Sequence, residues 1–142
     1  MLLRPAAFLH RTAALLIFSV LIAESTNDSQ VRCSTTCVAE NCDTIGIRYG
    51  KYCGVGWTGC PGEKPCDDVD ACCQIHDDCV GINGMINIQC HEEFKKCIKN
   101  VHKSGKEGFS KVCPYDTAIP TMVQGMDIAI LLSQMGTPKE EL

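Results

Sequence analysis

Twelve cysteines constrain this 142-residue chain more than any other feature of its sequence. All of them lie between Cys33 and Cys113, and their even number allows every cysteine to take part in a disulfide bridge. This density is typical of oxidised, secreted scaffolds in which cross-links compensate for a small hydrophobic core. The spacing does not reveal which cysteines pair, so the connectivity stays open at this point.

The first 25 residues have the pattern of a secretory signal peptide. Arg4 and Arg11 precede a short apolar run, and the small residues Ala23 and Ser25 at its end suit a signal peptidase. The run is too short to cross a bilayer, which takes roughly 20 residues. We therefore predict a signal peptide over 1–25 and a single mature domain over 26–142, in which 114–142 form a helical C-terminal extension.

The charge and the C-terminal residues narrow the choice of partners and location. The formal net charge is −4, and it becomes more negative when two arginines and one glutamate leave with the signal. No basic block remains, which argues against a nucleic-acid partner. The chain ends in KEEL, one conservative change from the retention signal KDEL, so secretion and retention in the endoplasmic reticulum (ER) lumen both stay open.

Two stretches with helical patterns lie on either side of a turn at Asn83-Gly84. The first begins near Asp67, and the acidic residues at its start suit the positive end of a helix. The second has an apolar stripe opposite a charged face. The stripe consists of Cys90, Phe94, Cys97, Ile98 and Val101. A third helix is predicted over 120–135, started by Pro120 and ended by Gly136.

The sequence DACCQIHDDC, residues 70–79, concentrates cysteines around a His-Asp pair. On a helix, Cys72 and His76 share one face, while Cys73 and Asp77 share another. The two adjacent cysteines should therefore bridge to different segments and hold the backbone under the His-Asp pair rigid, as a catalytic pair requires. The alternative is a zinc site made of cysteines and the histidine, and an oxidised cysteine set argues against it.

A long loop rich in glycine and proline precedes this helix, from Tyr49 to Cys66. Gly54 and Gly56 leave backbone carbonyls free to turn toward a common point, because neither residue has a side chain. Carbonyl oxygens and a carboxylate are the hard ligands that Ca²⁺ selects, and Asp77 supplies the carboxylate if the loop is drawn against the helix. The alternative is a cysteine-linked glycine loop that holds no metal.

Taken together, the loop and the helix resemble the calcium loop and active-site helix of secretory phospholipase A2. The loop matches Y-C-G-x-G at residues 52–56, and the helix matches D-x-C-C-x-x-H-D-x-C at residues 70–79. The resemblance covers about residues 33–113, and the twelve cysteines, the Gly/Pro segment and the apolar tail are most similar to the plant-type low-molecular-weight branch. It implies a mainly α, small, disulfide-rich fold with two long antiparallel helices bridged to each other, a calcium loop and a C-terminal helix.

The resemblance also implies Ca²⁺-dependent hydrolysis of the sn-2 ester of glycerophospholipids, with release of a fatty acid and a lysophospholipid. His76 would be the general base that activates water. Ca²⁺ would be the cofactor and would stabilise the oxyanion together with the Gly54 N–H. Its ligands would be the carbonyls of Tyr52, Gly54 and Gly56 and the carboxylate of Asp77. The substrate would be a phospholipid at a membrane or lipid-aggregate surface, and we expect a monomer.

Two positions depart from the common pattern of that family. An aspartate that contacts the catalytic histidine in many members corresponds to His91, and a tyrosine after the last cysteine of the helix motif corresponds to Val80. The group that fixes the tautomer of His76 is therefore open between His91, Glu92 and a backbone carbonyl. Two other functions also stay open: a catalytically silent secreted binding module, and a disulfide-rich inhibitor or defence protein that needs no calcium.

Two apolar features have more than one interpretation. Trp57, the single tryptophan, is either an interfacial anchor beside the proposed calcium loop or a half-buried packing residue. The third predicted helix is expected to pack against the disulfide core rather than to insert into a lipid surface.

Overall fold

Three helices and two small sheets form the part of the chain that the computed structural model describes, residues 32–136. The strands come first, as β1 (Arg32–Ser34), β2 (Val38–Glu40), β3 (Arg48–Gly50) and β4 (Trp57–Gly59). The helices follow, as α1 (Asp68–Asn83), α2 (Ile88–Lys103) and α3 (Tyr115–Gly136). The predicted mainly α, disulfide-rich class is confirmed. The predicted signal peptide and the C-terminal KEEL lie outside the described residues.

Side-chain caps define where the first two helices begin. The Asp67 carboxylate accepts a hydrogen bond from the Asp70 N–H at 3.0 Å, and the Asn87 side chain accepts one from the Cys90 N–H at 3.0 Å. Both caps satisfy N–H groups that have no partner within the first turn. Gly84, whose φ is 92°, follows the last residue of α1 and ends it at the predicted turn.

The helices α1 and α2 are antiparallel and joined by two disulfides. The bridges are Cys72–Cys97 and Cys79–Cys90. The earlier cysteine of α1 pairs with the later cysteine of α2, as antiparallel helices require. A disulfide typically contributes about 2–4 kcal/mol to stability. The helix pair is therefore a firm support for side chains that lie between the two bridges, and the predicted pair of bridged antiparallel helices is confirmed.

Of the other four disulfides, one joins a loop to a helix and three join the N-terminal segment to loops. Cys53–Cys73 joins the glycine loop to α1, so Cys72 and Cys73 do bridge to different segments, as predicted. The remaining pairs are Cys33–Cys60, Cys37–Cys66 and Cys42–Cys113. Every cysteine of the described part is oxidised, which leaves no thiolate for the zinc alternative.

The two sheets are small and flank the core. β1 pairs with β4 in parallel, and β2 pairs with β3 in the antiparallel sense. The sequence analysis predicted none of these strands, because three residues are too few for an alternating pattern to stand out. The core is formed by Tyr49 of β3, Val69 of α1, Ile98 of α2 and Ile119 of α3, all of them almost fully buried.

The third helix begins at Tyr115 rather than at Pro120, so the predicted start is wrong. The carbonyl of Pro114 already accepts hydrogen bonds, each 2.9 Å long, from the N–H groups three and four residues further on. Pro120 consequently lies inside the helix, where its missing N–H removes one backbone hydrogen bond. Ile119 and Met122 are buried in the shared core, which confirms the predicted packing of this helix. No helix within residues 32–136 is long and apolar enough to cross a membrane.

Candidate active site

His76 lies in the middle of α1, between the two cysteines that bridge this helix to α2. Its ring is half-buried, and its centroid is 4.9 Å from that of the Phe94 ring on α2. Burial, and to a smaller degree the neighbouring His91, lowers the pKa of His76 to about 4. His76 is therefore uncharged at neutral pH, and an uncharged imidazole is the form that a general base requires.

A chain of two hydrogen bonds fixes which nitrogen of His76 carries its proton. The Met85 carbonyl, which can only accept, lies 3.0 Å from His91 Nε2, so that nitrogen carries a hydrogen. In a neutral His91 the other nitrogen, Nδ1, then has a free lone pair, and it lies 2.9 Å from His76 Nε2. His76 Nε2 therefore donates, which leaves His76 Nδ1 unprotonated and able to accept a proton.

His91 is almost fully buried and contacts His76 directly. The residue is 1% exposed, and no carboxylate in the described part of the chain forms an ion pair with it. Of the three candidates, His91 contacts His76 directly, and a backbone carbonyl, that of Met85, orients His91 in turn. Glu92 instead lies 3.4 Å from Lys95.

Asp77 follows His76 on α1 and contacts the loop side of the molecule. Its carboxylate accepts a hydrogen bond from Thr58 Oγ1 of β4 at 2.9 Å. Burial raises the pKa of Asp77 to about 7; the Thr58 hydrogen bond opposes this shift, and the negative charges of Asp78 and Asp70 add to it. No cationic side chain of the described residues pairs with this carboxylate. The site thus has a partly buried carboxylate without a cationic side-chain partner among the described residues.

The glycine loop is held against α1 on both sides of Gly54 and Gly56. Before these glycines, Cys53 is bridged to α1, and after them Thr58 donates its hydrogen bond to Asp77. Gly54 and Gly56 have φ angles of 146° and 66°, which residues with side chains rarely adopt. The predicted approach of the loop to the helix is therefore observed, and it brings Asp77 into contact with Thr58, two residues after Gly56.

Asp70 is a structural residue of the site to which the sequence analysis assigned no role. It is fully buried, and its carboxylate accepts hydrogen bonds from the backbone N–H groups of Lys51 and Tyr52 at 2.9 Å and of Cys66 at 2.8 Å. Three backbone donors compensate for the burial of this carboxylate and fix both ends of the loop to the first turn of α1. The available signal was its place in the motif that also contains His76.

The oxygen donors available in the loop and on Asp77 are of the type that the implied calcium site requires. Side chains alone do not form a site, because no three His, Cys, Asp or Glu side chains among residues 32–136 are grouped so that they could hold a metal. The implied set has one carboxylate, Asp77, and the carbonyls of Tyr52, Gly54 and Gly56, which are hard donors of the kind that Ca²⁺ prefers. The uncompensated carboxylate of Asp77 beside the loop is the structural feature that fits this set.

The aromatic ring beside the loop is packed rather than free. Trp57 is half-buried, and its indole Nε1 is fully buried without a hydrogen-bond partner among the described residues. The Arg48 guanidinium carbon lies 4.6 Å from the centroid of its ring. Of the two interpretations of Trp57, half-buried packing is therefore the one observed. The apolar side chain that the loop exposes is instead Val55, which is 87% exposed.

Comparisons with known proteins address the family of the chain. No family model matches it. The rice (Oryza sativa subsp. japonica) protein named probable phospholipase A2 homolog 1 is 57% identical over 122 residues, which are 86% of this chain and 88% of that protein. Phospholipase A2-beta of Arabidopsis thaliana is 54% identical over 127 residues, which are 85% of this chain and 84% of that protein.

Solved structures give the same result for the fold. The orthorhombic crystal form of rice PLA2 has a TM-score of 0.66 and 36% sequence identity, and the match covers 72% of this chain and 90% of that one. Rice PLA2 in complex with octanoic acid has a TM-score of 0.65 and 37% identity, covering 72% and 91%. These relatives favour an enzyme over a silent binding module or an inhibitor. The chain therefore belongs to the plant-type secretory phospholipase A2 family and is a phospholipase A2, a hydrolase of lipid metabolism.

Proposed function

We propose that this phospholipase A2 hydrolyses the sn-2 ester of glycerophospholipids, with His76 Nδ1 as the general base and with Ca²⁺ as cofactor. The observation that carries the proposal is the chain of hydrogen bonds from His76 Nε2 through His91 to the Met85 carbonyl. This chain accounts for an unprotonated Nδ1 on His76 in a protein that lacks an aspartate at position 91.

The proton follows a defined route in this proposal. His76 Nδ1 takes a proton from water while the water oxygen adds to the ester carbonyl carbon, and general-base assistance of this kind contributes roughly 10²- to 10⁴-fold. His76 Nε2–H lies toward the lone pair of His91 Nδ1, so the two rings share the positive charge that develops. The bond to the glycerol oxygen then breaks, and that oxygen takes the proton from His76. The products are a fatty acid and a lysophospholipid.

The calcium ligands in this proposal are the carbonyls of Tyr52, Gly54 and Gly56 and the carboxylate of Asp77. When bound, Ca²⁺ would polarise the ester carbonyl and stabilise the negative charge on its oxygen, and the Gly54 N–H would assist. Extracellular calcium modules commonly bind with dissociation constants of about 10⁻⁴ to 10⁻³ M. We therefore expect activity to require calcium in the millimolar range.

Two further observations support this function. A related protein, rice PLA2, has been solved in complex with octanoic acid, and a fatty acid is the product class proposed here. All six disulfides of the described part require an oxidising compartment, which is consistent with a protein that is secreted or held in the ER lumen. We expect a monomer that acts on phospholipid at a membrane or lipid-aggregate surface and has no nucleic-acid partner.

The proposal is tested with phospholipids that carry a distinct label in each acyl chain. Label release from vesicles is measured with millimolar calcium and with excess chelator, for the wild type, for His76→Asn and for the matched control His102→Asn, an exposed histidine of α2. We expect sn-2 release that needs calcium, is lost in His76→Asn and persists in His102→Asn. Release that continues in the chelator or in His76→Asn would contradict the mechanism, provided that the variant remains folded and oxidised.

A further inference from the structure

Arg48 occupies an unusual position at the edge of the proposed calcium loop. It lies on β3, is exposed, and its side chain passes over the loop: a Cβ atom on Gly54 would lie 3.3 Å from Arg48 Cγ. Its guanidinium carbon lies 4.6 Å from the centroid of the Trp57 ring, one residue beyond Gly56. A cation over an indole face is held by the charge distribution of the ring, so the guanidinium has a defined place beside the site.

The guanidinium has no anionic partner in the described part of the chain. No carboxylate of residues 32–136 forms an ion pair with it, although the chain has more acidic than basic residues. Glu40 is its direct register partner on β2, and even this neighbour is not paired with it. Of the lysines in the described part, those at 51, 95, 106 and 111 have carboxylate partners, and those at 64, 96, 99 and 103 have none. An arginine that packs on an indole instead of pairing with the carboxylate opposite it keeps its donors available to another anion.

We propose that Arg48 binds the phosphate of the substrate headgroup and makes this enzyme prefer anionic phospholipids, such as phosphatidylglycerol, over the zwitterionic phosphatidylcholine. The inference rests on the proposed function, because it places the sn-2 ester at Gly54. Only a few covalent bonds separate that ester from the headgroup phosphate. The Arg48 side chain extends from Gly54 to the Trp57 ring, so its guanidinium is within reach of that phosphate. The planar fork of arginine matches phosphate oxygens in a bidentate way.

Headgroup charge decides how much this contact contributes. In phosphatidylcholine the substrate's own trimethylammonium group lies next to the phosphate and competes for it electrostatically. Phosphatidylglycerol has no such cation, so nothing in its headgroup competes with the guanidinium for the phosphate. A charge-assisted contact at an exposed site changes affinity by roughly three- to tenfold. The preference should therefore appear as a ratio of that size between the two substrates.

The test uses short-chain phosphatidylglycerol and phosphatidylcholine below their aggregation concentrations, so that no charged surface is present. The ratio of kcat/KM for the two lipids is measured for the wild type, Arg48→Gln, Arg48→Lys and Lys99→Gln. The last variant removes one exposed positive charge from α2, outside the loop. We expect Arg48→Gln to lower the ratio about three- to tenfold, Arg48→Lys to retain part of it, and Lys99→Gln to leave it unchanged.

A ratio compares two substrates on one variant, so any general loss of folding or calcium affinity cancels. An unchanged ratio in Arg48→Gln, or an equal change in Lys99→Gln, would overturn the inference. A parallel assay uses vesicles of each lipid. An effect of Arg48→Gln that is seen only on vesicles would mean that Arg48 recruits the enzyme to an anionic surface. That result would also overturn the inference. Absence of wild-type hydrolysis of either lipid would instead contradict the proposed function itself.

Discussion

His76 and Asp77 are consecutive residues of α1, but different halves of the molecule support them. His76 is oriented from α2, across a helix pair closed by two disulfides. Asp77 is oriented from β4, by one hydroxyl at the end of a glycine loop. His76 is supported by the His91 imidazole and the Met85 carbonyl, within the half that contains the disulfide-linked helices α1 and α2. The support of the carboxylate belongs to a loop whose conformation depends on glycine.

Burial acts on both residues in the direction that removes charge. It lowers the pKa of His76 to about 4 and raises that of Asp77 to about 7. For the base, the loss of charge is useful, because the neutral form accepts the proton. For the carboxylate, it is a cost that a bound cation removes. In the proposed mechanism, one buried environment thus suits both the base and the metal ligand.

The first prediction concerns Asp77, the carboxylate that the loop half of the molecule supports. Asp77→Asn should weaken calcium binding by more than about 100-fold, beyond the range usual for a group that only orients a ligand, because the proposed site has a single carboxylate. Calorimetric calcium titration measures this effect. Asp78→Asn, at the exposed neighbour, should bind calcium like the wild type. Equal weakening in the two variants would contradict the assignment of Asp77.

The second prediction concerns the support of the base. His91→Leu should lower kcat about 10- to 100-fold at saturating calcium, because His76 then loses the acceptor that selects its tautomer. Calcium affinity should stay unchanged, since His91 belongs to the other half of the site. His102→Leu is the matched control. A wild-type kcat in His91→Leu would show that the imidazole chain does not orient the base.

The third prediction concerns the support of the carboxylate. Thr58→Val should weaken calcium binding about tenfold, because the Asp77 carboxylate loses the hydroxyl that orients it, while Thr58→Ser keeps that hydroxyl and should bind normally. Calcium titration of the two variants decides this. If Thr58→Val and Thr58→Ser bind calcium equally weakly, Thr58 contributes packing rather than its hydrogen bond.

The smallest effect at neutral pH is expected from His91→Asp, which restores the residue type common in the family. A carboxylate beside His76 favours the imidazolium form and so raises the pKa of His76 above its present value of about 4. The acid limb of the kcat/KM profile, recorded at saturating calcium to keep Asp77 ionised, should therefore move to higher pH. A limb that stays in place, or moves to lower pH, would contradict the neutral imidazole partner.

Much of the site could be predicted from helical periodicity. The spacing of Cys72, His76 and Cys79 predicts one shared face, and that face is the one bridged to α2. Cys73 and Asp77, four residues apart, lie as predicted on a face turned toward another segment. Cys90, Phe94 and Ile98 of the apolar stripe of α2 are buried, and Cys97 and Val101 pack partly buried against the same core. These features are local, so sequence spacing is enough to reveal them.

The features that could not be predicted depend on contacts between distant segments or on backbone groups. The Met85 carbonyl fixes the tautomer of His91, but every residue has a carbonyl, so no residue type marks it. Thr58 reaches Asp77 only because the loop folds back on α1. The start of α3 was misplaced, because proline is common in the first turn of a helix and Pro120 was taken for that signal.

The most direct test of the account is the protonation state of the two site histidines. Long-range ¹H–¹⁵N correlation spectra of histidine-labelled protein near neutral pH distinguish nitrogens that carry a hydrogen from those that do not. His76→Asn and His91→Leu assign the signals. The account predicts that His76 and His91 both carry their hydrogen on Nε2 and that both Nδ1 atoms are unprotonated. A hydrogen on His76 Nδ1 would contradict the proposed base and the hydrogen-bond chain that supports it.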